Sequence, residues 1–488
     1  MRRAAGKPKT GRAHKVTSSQ ARIPAKRKHA SFDDEIDSGD SGDEEAAVHA
    51  AALADEREEE ADTETAQERR VRLAREMLGA MDEAARRRSG DDGDVDQVTQ
   101  SLEEDALRKA GRYRVEIAAS LRGQSVSHEA IRVLRGPQLS PTCVALMPDE
   151  TAAFCGCKDG TIVRWDLQSG HRVVIPSGRG REEATGHTRD VLSAAVSADG
   201  RVLMTGSRDK TLLFWDLRNF KVVKELKGHR GPVNALSVSR GDHSTGQLFS
   251  GAADRCAKVW DIEQRGYLET LYGHLEGITS LDSIVANQML SAGVDRSVRL
   301  WKVDEEVQLL FQAHSAAVDC CALLHAEAFV SGSQDGCLGY WTTKRKKPLA
   351  MRSLAHGVAP WGGACWLSAL TSPCFSDLAI SGSCDGHLRF WHCDEMERSL
   401  SQVMSVPLVG FINGLAMAPS GKFVACAVGQ EHRLGRWFRI REARNSLCIV
   451  PLPASVHRKP DLVRRVCNAT NGVDRDEEGD SNDDASED

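Results

Sequence analysis

An all-β ring of seven four-stranded blades is the fold class this sequence predicts, on three observations. First, seven tryptophans each follow an acidic residue by six positions: Asp159/Trp165, Asp209/Trp215, Asp254/Trp260, Asp295/Trp301, Asp335/Trp341, Asp385/Trp391 and Glu431/Trp437. Second, successive tryptophans lie about 40–50 residues apart, the period of a propeller blade. Third, around five of the pairs a hydroxyl residue stands four positions before the acid, with a histidine further upstream. These are the parts of a WD-type blade lock. In that blade the acid occupies the turn after the second strand, the indole the third strand, and the histidine the loop entering the first. Carboxylate, imidazole, hydroxyl and indole N–H then satisfy one another, as buried polar groups require.

Taken in order, blade two supplies His187, Thr205, Asp209 and Trp215, and blade three His229, Ser250, Asp254 and Trp260. Blade four has His274, Ser291, Asp295 and Trp301. Blade five has His314, Ser331, Asp335 and Trp341, and blade six His356, Ser381, Asp385 and Trp391. Histidine, serine and aspartate in company suggest a hydrolase triad. Fivefold repetition argues against one, because an enzyme needs a single site whereas every blade needs its own lock. Blades one and seven depart from the pattern. Blade one has Pro137 for the histidine and Cys155 at the hydroxyl position; blade seven has Ala427 there and Glu431 for the aspartate. Ring closure accounts for this if a strand from one end of the chain completes a blade begun by the other. Ile131–Gly136 is the favoured closing strand, with Leu447–Leu452 as an extra edge strand.

The propeller is expected over 129–453, behind a helical extension at 62–128 and between disordered tails at 1–61 and 454–488. Thr65 and Glu68 form a capping box for one helix, with Val71, Leu73, Ala74 and Leu78 at helical spacing. A second helix is expected from about Asp96 to Leu121, weakened by Gly111. Residues 1–30 carry ten Lys/Arg and no acid, residues 31–64 fifteen acids and one base, and the tail from 471 nine acids and one base. The overall charge of −6 therefore belongs to the ends, and the rest is mildly basic. Pro24–Lys28 reads as a nuclear import signal, and Ser41 and Ser481 as sites for an acidophilic kinase. No apolar run reaches the roughly 18 residues of a membrane span. The fourteen cysteines include no C-x-x-C pair, which points to packed, reduced thiols and to no metal or cofactor.

The acid-bearing turns and histidine-bearing loops open onto one face. Lys158, Arg189, Arg208, Lys210, Arg230, Arg255, Arg296 and Arg433 stand beside those positions and are expected to form a basic arc from blade seven through blade four. Blades five and six place Gln334, Gly336, Cys384 and Gly386 there instead. An arc of this kind suits a polyphosphate chain, although Arg beside a blade acid is also ordinary surface filler. Lys344–Lys347 should lie on the opposite face. Trp361 and Trp366 are assigned to the region between the first and second strands of blade six, where packing in the blade core is favoured over an exposed pair that stacks on bases or anchors a protein.

Blade seven carries the longest distinctive segment, VPLVGFINGL (406–415) followed by GQEHRLGRWFRIREARNSLCIVPL (429–452). It resembles the WD-repeat protein family of the U3 small nucleolar ribonucleoprotein. The resemblance extends to ETAQERRVRLAREML (64–78) and IRVLRG (131–136), over roughly 62–453. It implies a non-catalytic nucleolar subunit that binds the box B/C region of U3 small nucleolar RNA. Its companions would be kink-turn-binding and other box C/D proteins and small-subunit assembly factors, in pre-ribosomal RNA processing. The positions carried over are Gln430, Glu431, His432, Arg433, Arg436, Arg439, Arg441, Arg444 and Asn445. Glu431 fits either an altered lock or a carboxylate paired with Arg433. Arg439 to Arg444 either contact phosphates or brace the closing blade. Two rivals stand beside this reading. One is a substrate receptor of a cullin-type ubiquitin ligase, from the W-D-x-R match at Trp215–Arg218; the other is a nucleolar scaffold that touches only proteins.

Overall fold

The computed structural model describes residues 115–179, 186–239, 246–285, 287–359 and 362–457. All belong to one compact unit, Thr99–Asp488. They form seven four-stranded antiparallel sheets arranged as a propeller. Blade one runs in simple order through Pro141–Leu146, Ala152–Cys157, Ile162–Asp166 and Arg172–Ile175, and blades two to six repeat the plan. Each innermost strand packs on that of the next blade, and blade seven's on that of blade one.

Burial follows the strand's place in its blade. The second strand of blade one, Ala152–Cys157, is buried throughout because neighbouring blades cover both of its faces. The outermost strand of blade two, Lys221–Lys227, is mostly exposed and carries four of the charges that keep the rim in water. The apolar core sits between blades rather than within them. Phe154, Ile162 and Ile175 of blade one pack with Leu203, Leu213 and Trp215 of blade two in one cluster.

Around the central channel, hydrogen bonds stitch one innermost strand to the next. Thr142 donates to Val191 O, Asn234 to Ile278 O at 2.7 Å, and Thr279 to Val318 O at 2.5 Å. The Cys320 thiol lies 3.3 Å from Leu367 O, Ser368 donates to Ile412 O at 2.6 Å, and Asn413 to Pro141 O at 2.9 Å. The last of these seals blade seven to blade one. Most of these residues occupy the point where the innermost strand slips register against the second, as at Pro141/Cys143, Ile278/Ser280 and Ile412/Gly414. A bulge of this kind re-aims a side chain out of its own ladder, here into the next blade.

Closure differs in part from the expectation. Blade seven is ordered Phe411–Met417, Phe423–Gly429, Ser446–Pro451 and then Arg132–Arg135. The amino-terminal segment is the closing strand, but Ser446–Pro451 is no extra edge. It is the third strand of the blade, paired on both sides. Trp437 therefore lies on no strand. Ala427 pairs with Leu447 and Ala425 with Ile449, all buried. Ile449 takes the register place of the lock tryptophan, and apolar contact replaces the polar lock.

The second expected helix does not continue to Leu121. Val115 bridges to Ser376, and residues Ala118–Leu121 form only a 3-10 turn. The Asp377 carboxylate accepts from the N–H groups of Ile117 at 2.8 Å and Ala118 at 3.1 Å, while Ile117, Ala118 and Leu121 are buried against blades six and seven. A tertiary carboxylate thus satisfies amides that a longer helix would have used itself. The remainder of both helices, the charged tails, the import signal and Trp361 lie outside the described residues. At the other end the chain stays packed through Val456, beyond the expected boundary at 453.

Candidate nucleic-acid interface

The locks set the geometry of the face. In blade two His187 bridges Asp209 at 3.0 Å and Thr205 at 2.8 Å, and Thr205 also accepts from the Trp215 indole at 2.8 Å. Blade three repeats this with His229, Asp254, Ser250 and Trp260 at 2.9, 2.8 and 2.7 Å. Blade four repeats it with His274, Asp295, Ser291 and Trp301 at 2.9, 2.7 and 2.8 Å. Burial alone would raise the Asp254 carboxyl, but the hydrogen bonds from His229 and the Arg230 amide outweigh it and hold it at about 2.

Blade five keeps only half of the lock, and blade six shares its carboxylate with an arginine. His314 and Trp341 both meet Ser331 at 2.7 Å, but Asp335 takes the Ser315 hydroxyl at 2.6 Å and the His314 Nδ1 has no partner. In blade six His356 and Trp391 hold Ser381 at 2.7 and 2.8 Å. Asp385 Oδ2 lies 2.9 Å from His356 Nδ1, the separation found in blades three and four, and also accepts from Arg389 at 3.0 Å. Five sets of lock residues thus make three complete locks, one in which Ser315 has taken the carboxylate and one in which Arg389 shares it with the histidine.

In blades one to six the residue after the blade acid adopts a left-handed backbone. Blades one, five and six place glycine there, Gly160, Gly336 and Gly386, at φ 86°, 75° and 76°. Blades two, three and four place Lys210, Arg255 and Arg296 in the same conformation, at φ 73°, 70° and 63°. An L-residue held there costs about 1–2 kcal/mol, and these three turns each hold a cation in that conformation. All three are exposed, as are Arg189, Arg208 and Arg230 beside them, and Arg208 pairs with Asp190 at 3.1 Å. The same backbone recurs at other turns, among them Phe220, Glu306 and Leu354, so it is the charge at these three positions that sets them apart. Sequence spacing had marked these positions; their conformation was not legible there.

Two members of the expected arc are elsewhere. Lys158 is largely buried, 3.4 Å from Glu431 and donating to Gly435 O at 3.1 Å. Burial holds its ammonium below the ordinary value, with Glu431 opposing. Arg433 turns into the central channel, where it donates to Thr279 O at 2.8 Å. It lines a cavity of about 130 Å³ together with Asp319 and the bulge residues. Glu431 consequently pairs with Lys158 and, at 3.0 Å, with Arg436, not with Arg433. On the neutral side of the rim Gln334 is turned inward, donating to Asp319 at 3.0 Å.

In place of a tight turn, blade seven has the insert 430–445. Gln430 and Asn445 clip its base: the Gln430 amide donates to Asn445 Oδ1 at 3.0 Å, and Asn445 Nδ2 to Gln138 O at 3.1 Å. Arg439 is held by Gln430 Oε1 at 3.1 and 2.6 Å, whereas Arg441 and Arg444 are exposed and make no ion pair among the described residues. The insert also builds an aromatic cluster that sequence reading missed. Trp366 lies in the loop before the first strand of blade six, half-buried, its ring 5.8 Å from both His432 and Trp437. It is not in a blade core. Lys344–Lys347 follow the third strand of blade five at the end remote from the Asp335 turn, and Lys344 pairs with Glu327 at 2.6 Å.

Comparison with known proteins supplies the relatives. The family model described as "WD domain, G-beta repeat" matches residues 128–166, 180–216, 220–261, 266–302 and 305–342. The U3 snoRNP-associated protein-like EMB2271 of Arabidopsis thaliana is 35% identical over 450 residues, covering 87% of this chain and 92% of that protein. The U3 small nucleolar RNA-interacting protein 2 of Homo sapiens is 38% identical over 400 residues, covering 80% of this chain and 82% of that protein. A solved structure described as "Structure of U3-55K" superposes with a TM-score of 0.64 at 41% identity, over 67% of this chain and 100% of that one. With a relative of this similarity spanning almost the whole of both chains, the protein belongs to the WD-repeat family of U3 small nucleolar ribonucleoprotein-associated proteins.

Proposed function

We propose that this chain is a non-catalytic subunit of the U3 small nucleolar ribonucleoprotein that grips U3 small nucleolar RNA in its box B/C region. It acts in the nucleolus with box C/D proteins and small-subunit assembly factors during pre-ribosomal RNA processing. Recognition is by shape and backbone. The observation that carries the reading is the run of exposed cations in blades two to four, three of them on strained left-handed backbone. Each phosphate contact releases counterions, so a curved line of cations favours a folded polyanion over a neutral protein surface. The exposed Arg441 and Arg444 extend the charge onto blade seven.

The test is a salt titration of full-length protein with U3 RNA. Reversing Arg255 and Arg296 to glutamate should weaken binding and lower the slope of log K against log salt by about two, roughly one per lost phosphate contact. An unchanged affinity and slope would remove the arc from the interface. Affinity purification from cells separates the rivals. U3 RNA with box C/D proteins supports the proposal, an RNase-resistant association supports a protein-only scaffold, and a ligase adaptor supports a substrate receptor.

A further inference from the structure

One acid in the central channel is not explained by the bonds that hold the ring together. Each innermost strand places one residue at a corresponding position on the channel. Five of the seven, Thr142, Asn234, Thr279, Ser368 and Asn413, donate to the next blade. Blade two has Leu192 there, whose side chain donates nothing, and blade five has Asp319, whose carboxylate can only accept. In blade five the neighbouring Cys320 thiol reaches Leu367 O instead, at 3.3 Å. Ring closure therefore asks nothing of Asp319.

Asp319 is only 4% exposed and Asn413 only 1%. Gln334 donates to Asp319 Oδ1 at 3.0 Å, but Asp319 Oδ2 has no donor among the described residues. Asn413 Oδ1 has none either, while its Nδ2 is committed to Pro141 O and Glu431 O, both at 2.9 Å. Buried acceptors left without donors are rare and costly. Arg433 lines the same cavity. It uses one N–H group on Thr279 O at 2.8 Å and makes no ion pair with Asp319. Two free acceptors and a guanidinium thus border one space of about 130 Å³, roughly ten times the room that a single water needs.

The charge of that space decides what suits it. Arg433 balances Asp319, so a further buried cation or anion would stand uncompensated. A neutral group with two donors and one acceptor fits instead, which describes a primary amide: two N–H groups for Asp319 Oδ2 and Asn413 Oδ1, and a carbonyl for Arg433. A hydroxyl brings one donor and leaves an acceptor unmet. Gln334 and Arg433 reach the cavity from the face that carries the blade acids, and the cavity is open rather than enclosed. Its occupant can therefore continue outward, as a side chain continues into its own backbone. We propose that the channel mouth receives a glutamine or asparagine side chain from a partner protein, with Asp319 as its principal acceptor. A single side chain held in a desolvated pocket at the centre of a surface is the usual form of a binding hot spot. The RNA reading is not needed for this, and no RNA enters the test.

The experiment is saturation-transfer NMR on the full-length chain. The small probes are acetamide, methylammonium, acetate and guanosine, and the peptides are Gly-Gln-Gly and Gly-Glu-Gly, acetylated and closed with N-methylamide. Acetamide should bind with a Kd on the order of 1 mM, the glutamine peptide more tightly, and the charged probes and glutamate peptide not at all. Asp319→Leu and Asp319→Ser copy the residues at this position in blades two and six. Both should weaken acetamide at least about tenfold, and serine is too small to do so by filling the cavity. Both should melt no lower than wild type, because the ring does not use the acid. Lower melting of both variants would make Asp319 a structural acid and overturn the site. Equal acetamide binding by wild type and variants would overturn it too, as would tighter binding of methylammonium, acetate or guanosine. Acetamide bound with the glutamine peptide excluded would overturn insertion of a partner's side chain. No binding by any probe would leave the channel to water and end the proposal, with the RNA reading untouched.

Discussion

Arg433 joins blade seven to blade four across the channel: its guanidinium donates to Thr279 O at 2.8 Å. Thr279 in turn donates to Val318 O in blade five, beside Asp319. Burial raises the Asp319 carboxyl, and Arg433 and Gln334 oppose that rise. Arg433 is therefore a brace. Arg433→Met should lower stability by about 1–3 kcal/mol, the penalty of leaving buried polar groups short of partners. Urea denaturation reads the loss, and U3 RNA affinity should stay within about twofold of wild type. A large affinity loss without destabilisation would put Arg433 on the RNA.

The left-handed cations predict opposite effects on folding and binding. Arg255→Gly relieves a strain of about 1–2 kcal/mol, partly offset by the roughly 0.5–1 kcal/mol of chain entropy that glycine brings. Stability should hold or rise by up to about 1 kcal/mol in urea titrations. RNA affinity should fall, with the salt slope reduced by about one. A destabilised variant that binds normally would show that the conformation serves folding alone.

The shared hydroxyl is the weak point of each lock. Ser250 serves both His229 at 2.8 Å and the Trp260 indole at 2.7 Å. Ser250→Ala leaves two buried groups unpaired and should cost about 2–4 kcal/mol. Ser250→Thr should be tolerated, because Thr205 fills the same role in blade two at 2.8 Å. Thermal melts of the two variants decide it: equal melting temperatures would deny the lock its role.

The aromatic cluster predicts loss of stability in mild acid. His432 has a folded pKa of about 3 against 6.5 when unfolded. Its contribution is whole above pH 6.5 and declines as pH falls toward 3, because only the unfolded chain binds the proton. At pH 5 the decline amounts to about 2 kcal/mol. Asp254 and Asp335, both held at about 2, add nothing in that window because even their unfolded forms stay charged. Melts of wild type and His432→Phe between pH 7.5 and 5 should diverge, with the variant losing less. Parallel curves would mean that His432 protonates freely in the folded state.

Blades two to four were legible because their lock residues are held at constant sequence spacing by the turn and strand between them. Glu431/Trp437 matched the same spacing and misled. In blade seven a second strand ending at Gly429 and a third beginning at Ser446 leave that pair inside an insert. A two-residue spacing cannot reveal whether a strand separates its members. The altered locks of blades five and six escaped notice for a related reason. Ser315 and Arg389 compete for carboxylates that the histidines were expected to hold, and nothing in the one-dimensional pattern ranks donors by distance.

By itself the sequence determined the seven-blade ring and located the cations beside the acids of blades two to four, and it favoured without settling the amino-terminal segment as closing strand, because repeat period and strand alternation are properties of neighbouring residues. Tertiary structure alone decided that Arg433 faces the channel, that Lys158 is drawn into blade seven, and that Trp366, His432 and Trp437 meet. Those contacts join residues from different blades. They depend on how the ring closes, and no local spacing records that.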